Sequence, residues 1–284
     1  MLDTTLTNTP RASTRTRPRW RIPVSVILLA LVVVACVVGP VISPFDPYTL
    51  NNENSFSGPS LAHWLGTDEL GRDMLTRLLI GGRLSLMVAA GSVIIALILG
   101  TVWGMTAAVR GGVLEELLMR LADISMAIPQ ILFALLCVAA FGASLTSLIV
   151  ITGLLLSPAT ARMARASVIQ EIRLDYYSAG IAYGAGRLRL MFREVLPNAA
   201  PGIMSQAVIN AASAIILEAS LSFVGLGVQP PEMSWGALLQ QGYGLIYIAP
   251  LYAIAPASAI LLTVLCLNLL ADRAGGRAML RSSR

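Results

Sequence analysis

Residues 124–161, ISMAIPQILFALLCVAAFGASLTSLIVITGLLLSPATA, run for 38 positions without an Asp, Glu, Lys or Arg. A helix needs roughly 20 apolar residues to cross about 30 Å of hydrocarbon, so this stretch is long enough for two crossings. Gly142-Ala143-Ser144 near its middle supplies a turn. The pattern predicts a span at 119–141 and a second at 145–165, running antiparallel.

Working outward, residues 84–109 form another uncharged run, and 22–42 a further one behind Arg11, Arg15, Arg17, Arg19 and Arg21. On the other side a span is expected at 201–225, because Pro201 suits a helix's first turn; it carries one charge, Glu218. A sixth is expected at 249–271, with Gly227, Pro230, Pro231 and Gly236 marking the intervening loop. The expectation is an all-α polytopic membrane protein of six transmembrane helices. It has one membrane domain over 22–275, a disordered Arg- and Thr-rich tail at 1–21, a long loop at 166–200 and a short tail at 276–284.

Composition supports this reading. Of 284 residues 56% are hydrophobic and 12% charged, against about 25% charged in a soluble domain. The formal charge is +5 and its positive part is all arginine, since the chain has no lysine. Arginines cluster at 11–21, 110–120, 162–193 and 273–284, whereas the alternate segments hold only Arg72, Arg77 and Arg83. By the positive-inside rule both termini and the 166–200 loop are cytoplasmic. The arginines lie between apolar spans, which disfavours a nucleic-acid partner.

The N-terminal span is too long for a signal h-region, and although Val33-Val34-Ala35-Cys36 has the look of a lipoprotein processing site, the apolar run continues past it. Cys36, Cys137 and Cys266 all fall in apolar runs and read as buried hydrophobes. A chain without lysine cannot hold the G-x-x-x-x-G-K-[ST] phosphate loop, so any ATP hydrolysis belongs to a partner. Gly142-Ala143-Ser144 lacks the closing glycine of a nucleophile elbow. His63, the single histidine, has no cluster of ligands with which to bind nickel or zinc. The chain is read as no enzyme and as binding no cofactor or metal.

Two segments carry a more specific signal. In the 166–200 loop, Asp175-Tyr176-Tyr177-Ser178-Ala179-Gly180-Ile181-Ala182-Tyr183-Gly184-Ala185, then Leu196-Pro197, suggest two short helices around a glycine joint. Asp175 favours the first helix's N-terminus, Gly184 or Gly186 stops it, and Pro197 closes the second. Small residues Ala179, Gly180 and Ala182 permit close approach of another protein, ringed by Arg187, Arg189 and Arg193. Before the second span lies an external amphipathic segment that includes Gly66, Thr67, Asp68, Gly71, Arg72 and Asp73: Gly66 and Thr67-Asp68 are expected to turn and cap a helix along the outer membrane surface, with Leu70, Met74, Leu75, Leu78 and Leu79 on its apolar side.

The first segment resembles the EAA loop of ATP-binding-cassette importer permeases, E-A-A, three residues, G and a later L-P, matched here at Ala179, Gly184, Leu196 and Pro197. Ser178 stands in place of the glutamate and Gly180 in place of the second alanine. The second segment, L-G-T-D-x-x-G-R-D with a downstream G-x-R-x-S at Gly81, Arg83 and Ser85, resembles the C-type permease subunits of dipeptide, oligopeptide and nickel importers. Residues 218–227, Pro230-Pro231, Ser234-Trp235-Gly236 and Asn268-Leu269-Leu270 with Asp272 add to the likeness.

The resemblance implies a type I importer permease in a bacterial inner membrane, passing peptides, nickel or metal chelates. It implies a heterodimer with a homologous B-type permease, an extracytoplasmic solute-binding protein, and one or two cytoplasmic ATPases that use ATP and Mg and grip the 166–200 loop as a coupling helix. Glu218 is expected either to line the passage or to pair with a buried partner. The rival reading, a lone secondary transporter or channel, calls for paired broken helices or several buried ionisable residues.

Overall fold

A computed structural model describes residues 24–282, so the predicted tail at 1–21 lies outside the described residues. Among these residues all regular structure is helical, apart from one isolated bridge between Thr67 and Asp73. The helices are α1 (Val24–Ile42), α2 (Met74–Arg110), α3 (Gly112–Ala127), α4 (Gln130–Phe141), α5 (Leu145–Ile172), α6 (Asp175–Ala182), α7 (Arg187–Leu190), α8 (Leu196–Phe223), α9 (Trp235–Tyr243) and α10 (Pro250–Ser282). Five are long and apolar enough to cross a membrane, and the bent pair α3–α4 makes a sixth candidate.

The bundle is organised on α2 and α5, its most extensive pairing. Ala96, Gly100, Gly104 and Ala108 recur every four residues on one buried edge of α2. Facing them on α5 are Gly153, Ser157, Ala161 and Ala164, also buried. In lipid, helix association relies on packing and polar contact, which small residues favour by letting backbones approach. A Cβ on Gly104 would lie 2.2 Å from the Ala161 carbonyl oxygen, and one on Gly100 would lie 2.6 Å from that of Ser157. Hydroxyls finish the seam: the Ser92 side chain donates to the Ile149 carbonyl (3.1 Å). α8 then packs on both helices, and the Asn210 amide donates to Thr160 of α5 (2.8 Å).

Several expected boundaries move. The run 119–141 is not one straight helix: α3 and α4 meet at an 86° bend. Pro129 explains the break, because proline pushes the preceding residue out of the helical region, and Ile128 is extended (φ −79°, ψ 129°). The expected start of a helix at Pro201 is also overturned. Pro201 lies inside α8, and the helical run begins fourteen residues earlier at Arg187. Pro197 closes nothing. A π-helical turn at Met191–Val195 joins α7 to α8, and the Leu196 N–H reaches back to the Met191 carbonyl, so the chain passes a proline without breaking.

The expected amphipathic surface helix is absent. Residues 66–73 form a closed turn and the helix starts at Met74, continuous with 84–109. The Asp68 carboxylate accepts the N–H groups of Leu70 (2.8 Å) and Arg72 (2.9 Å), which holds this stretch in a turn. Gly71 sits at φ +73°, where a Cβ would collide with the Asn51 carbonyl. The cap is Asp73, not Asp68: its Oδ2 accepts the Thr76 N–H (2.8 Å).

Gly104→Val tests the seam. Overpacking against the α5 backbone should cost about 3 kcal/mol, read as a lower midpoint of thermal unfolding in detergent, whereas Gly112→Val, which meets nothing within 4 Å, should lose only the smaller amount due to its left-handed φ.

Candidate functional site

Three constellations hold the residues singled out in the sequence, and they occupy different parts of the bundle. The first is the connection between α5 and α8. α6 begins at Asp175 with Leu174 as an extended N-cap lacking a side-chain bond. It ends in a Schellman turn: the Ala185 N–H bonds the Gly180 carbonyl (3.0 Å), the Gly184 N–H bonds that of Ile181 (2.9 Å), and Gly184 is left-handed at φ +81°. Of the two candidate stops, Gly184 is thus the one used.

α6 is seated by three contacts. A Cβ on Gly180 would lie 2.7 Å from Leu190 Cδ2, so this glycine lets α6 close on α7. Tyr177 packs against the cluster of Ala108, Ala164, Val168, Met191, Val195, Ala199 and Ile203, which joins α2, α5 and α8. The Tyr176 hydroxyl donates to Glu171 Oε2 (2.8 Å). Burial, then the Glu171 bond, pushes its pKa up to about 12, so the phenol stays a donor at neutral pH. Asp175, Ser178, Ala179 and Ala182 are exposed, as is Tyr183 at 92%. Arg187, Arg189 and Arg193 are exposed too, and none has an ion pair among the described residues. Leu196 and Pro197 belong to the base of α8 and not to this free face.

The second constellation is the loop over 43–73 with the far end of α2. Asp68 is fully buried; its Oδ2 takes the Arg72 Nε (2.7 Å) and lies 3.3 Å from the Arg77 Nε, the latter without hydrogen-bond alignment. The Arg77 Nη2 donates to Gln241 Oε1 (3.3 Å), which also accepts the Tyr252 hydroxyl (2.8 Å). Asp73 holds His63 Nδ1 (2.9 Å) beside its cap bond. Gly66 at φ +79° returns the chain beneath Ser57. The L-G-T-D-x-x-G-R-D string therefore ties the loop to α2, α9 and α10 by inward-facing groups.

The third is Glu218, with 0% exposure. It lines no open surface of this chain. Ser85 Oγ donates to its Oε2 (2.8 Å) and Ser222 Oγ to its Oε1 (2.6 Å). Ser234 donates to Ser222 (3.1 Å), and the N–H groups of Trp235 and Ala237 donate to Ser85 and Ser234 (3.2 Å each). Every donor in the relay points toward the carboxylate, so the free N–H groups of α9's first turn answer its charge through three serines. The short helix α9 was missed in the sequence; Ser234 as N-cap was its signal. No group of three or more His, Cys, Asp or Glu that could hold a metal occurs among the described residues.

The family follows from residues 100–277, which match the model for the binding-protein-dependent transport system inner membrane component. The chain belongs to this family. It is 40% identical over 253 residues to the di/tripeptide transport system permease protein DppC of Pseudomonas aeruginosa, covering 87% of this chain and 84% of that one. To the oligopeptide permease OppC of Bacillus subtilis it is 33% identical over 252 residues, 88% and 82% of the two chains. To the glutathione permease GsiD of Pectobacterium atrosepticum it is 38% identical over 230 residues, 80% and 76%. Among solved structures, the inward-facing MetNI methionine ABC transporter shares the fold, with a TM-score of 0.59 at 20% identity over 72% of this chain and 97% of that one. The protein is thus a multi-pass membrane permease subunit of an ABC importer, and its family is one of transporter subunits and not of catalysts.

The relay makes a graded prediction. Glu218→Ala strands two buried hydroxyls and should cost about 3 kcal/mol. Glu218→Gln keeps an acceptor for one serine and should cost about 1 kcal/mol. Thermal unfolding in detergent should rank the two variants in that order.

Proposed function

We propose that this permease carries peptides, that α6 is its docking helix for a cytoplasmic ATPase, and that the second half of the passage comes from a homologous B-type permease. The observation that carries the reading is the form of α6. It is a short helix closed by Gly184, fixed on its inner side to a core shared by α2, α5 and α8, and offering Asp175, Ser178, Ala179 and Ala182 outward among arginines that have no ion pair with the described residues. Such a face is shallow enough to enter a groove, and Tyr183 beside it supplies an aromatic anchor of the sort that dominates binding energy.

Force applied to α6 reaches the spans directly, since Arg173 alone separates the end of α5 from the Leu174 cap and α8 continues from α7 through the π turn. That is a rigid-body transmission. ATP and Mg act at the partner, and this chain binds neither. In this arrangement both termini and α6 are cytoplasmic, as the arginine distribution favours, and the 43–73 loop faces the solute-binding protein. Peptides are preferred to nickel as cargo because the relatives named above carry peptide or glutathione, and because no cluster of candidate metal ligands is found among the described residues.

Ala179→Trp tests the reading, because position 179 is exposed and a bulky ring there leaves the permease's own packing alone. Recovery of the ATPase with the tagged permease and peptide uptake should both drop at least tenfold, with the thermal midpoint unchanged. Wild-type uptake by this variant would overturn the docking role.

A further inference from the structure

We propose that the charged face of α3 forms a wall of the water-filled passage in its cytoplasmic half, and that the cleft it makes with α5 takes the ammonium and carboxylate ends of a zwitterionic peptide. The choice of ligand rests on the peptide cargo proposed above; the water-filled wall does not.

The course of the chain comes first. Ser92 of α2 bonds Ile149 of α5, and Gly104 meets Ala161, in both cases 57 residues further on, so the two helices run parallel. The connection between them must therefore return across the bundle, and α3 and α4 share that crossing on either side of their 86° bend. Gly111 and Gly112, both left-handed (φ +63° and +59°), turn the chain out of α2 and back along it. The Trp103 indole donates to the Leu118 carbonyl (3.2 Å). This bond sets the middle of α3 level with a residue seven positions inside Arg110, about 10 Å along α2. Arg120 and Asp123 lie beyond Leu118 and so deeper still. No charge interrupts α2 between Arg83 and Arg110, or α5 from Leu145 until Arg162, which makes this depth part of the apolar zone.

α3 is divided into sectors. On the inner side Arg165 Nε of α5 donates to Glu115 (2.6 Å), and Ala122 is fully buried. Val113, Leu117, Leu121 and Ile124 form one free sector, 52–83% exposed, and the side chains of Glu116, Arg120 and Asp123 form another, 59–73% exposed. Only the first suits lipid. Ionised groups are costly in hydrocarbon, and within a span they face the bundle interior or a water-filled cavity. The charged sector is open on this chain, so the water it meets at that depth is the passage.

On this sector lies a cleft of about 440 Å³ walled by Glu115, Glu116, Met119, Arg120, Asp123 and Arg165, within the size range of small-molecule sites. Its charges alternate in sign. Arg120 donates to Glu116 (2.6 Å), Arg165 to Glu115, and Arg162, just outside, pairs with Asp123 (3.4 Å). Three carboxylates thus answer three guanidiniums, and the wall repels a solute of neither sign. Each carboxylate keeps unused acceptor sites and Arg120 keeps unused donors. Those are the partners that an α-ammonium and an α-carboxylate require.

The test uses the assembled importer, with its partner subunits, in phospholipid nanodiscs, where reagent and peptide reach both faces. Cys36, Cys137 and Cys266 are replaced by alanine, and Glu116→Cys, Met119→Cys, Asp123→Cys, Leu117→Cys and Leu121→Cys are introduced singly. A charged methanethiosulfonate, which reacts with thiolate in water, should modify positions 116, 119 and 123 at least tenfold faster than 117 and 121. Dialanine at millimolar concentration should slow modification at 119 at least threefold, N-acetyl-dialanine amide should not, and Arg120→Gln should abolish the protection. Equal rates at the two sets of positions would remove α3 from the passage wall. Protection by neither peptide, or by both alike, would overturn the zwitterion site. Failure of the peptide cargo itself is told apart by uptake: the wild-type importer would then not accumulate labelled dialanine, while the access pattern along α3 stayed as expected. Because Glu116 is exposed and its substitution removes no internal packing, the access comparison holds even where Asp123→Cys fails to assemble.

Discussion

The fold depends on how closely α2 and α5 approach. Their seam is built from glycine, alanine, serine and threonine, so main chain meets main chain where larger side chains would hold the helices apart. This distance cannot be supplied by burial from water, because lipid tails are as apolar as leucine. It rests on dispersion between atoms in contact and on a few hydroxyl bonds, both of which vanish with a small separation. α8 can bring Asn210 to Thr160 only because the seam fixes where Thr160 stands.

Charge placement follows a related rule. A carboxylate inside the bundle costs several kcal/mol unless it is answered by donors, and among the described residues Glu218 is answered without a cation. Two hydroxyls donate to it: Ser85 accepts the Trp235 N–H directly, and Ser222 accepts the Ser234 hydroxyl, which in turn accepts the Ala237 N–H. The consequence is positional: α9 must present its N-terminus toward α2 and α8, and Gly236 permits that approach, since a Cβ there would lie 2.6 Å from Ala219 Cα. α9 in turn carries Gln241 to Arg77, and so the Asp68 loop inherits its footing from the same relay.

Much of this was legible in the sequence because lipid imposes a length and a composition on spanning segments. Uncharged runs located the apolar helices, and Gly184 with Leu196-Pro197 drew attention to the α5–α8 connection. What the sequence hid were effects of geometry within those runs. Pro129 and Pro197 look equivalent as helix breakers, yet one bends the chain by 86° and the other is absorbed by a π turn. The difference lies in what surrounds each: Met191 and Val195 are buried in a core that rewards continuous helix, whereas Ile128 is exposed. Thr67-Asp68 reads as the cap on composition, yet Asp73 caps α2, because Asp68 is taken up in the buried cluster with Arg72 and Arg77, which joins residues nine apart.

The connection between α5 and α8 is informative as a mechanical joint. A segment that transmits displacement must be stiff on its inner side and free on its outer one. Tyr177, Gly180 and Leu190 make the inner side of α6 a packed contact, while nothing lies within 4 Å of a Cβ at Gly184 or Gly186. The stiffness is shared by three helices, because the same cluster includes Ala108 of α2, Ala164 and Val168 of α5 and Ala199 and Ile203 of α8. Under the proposed docking role, a push on α6 would therefore be shared by α2, α5 and α8. The close α2–α5 seam and the core beneath Tyr177 together join α2, α5 and α8 in one packed unit, which is the condition the proposed docking role of α6 requires for a local event at one end of the bundle to alter the other.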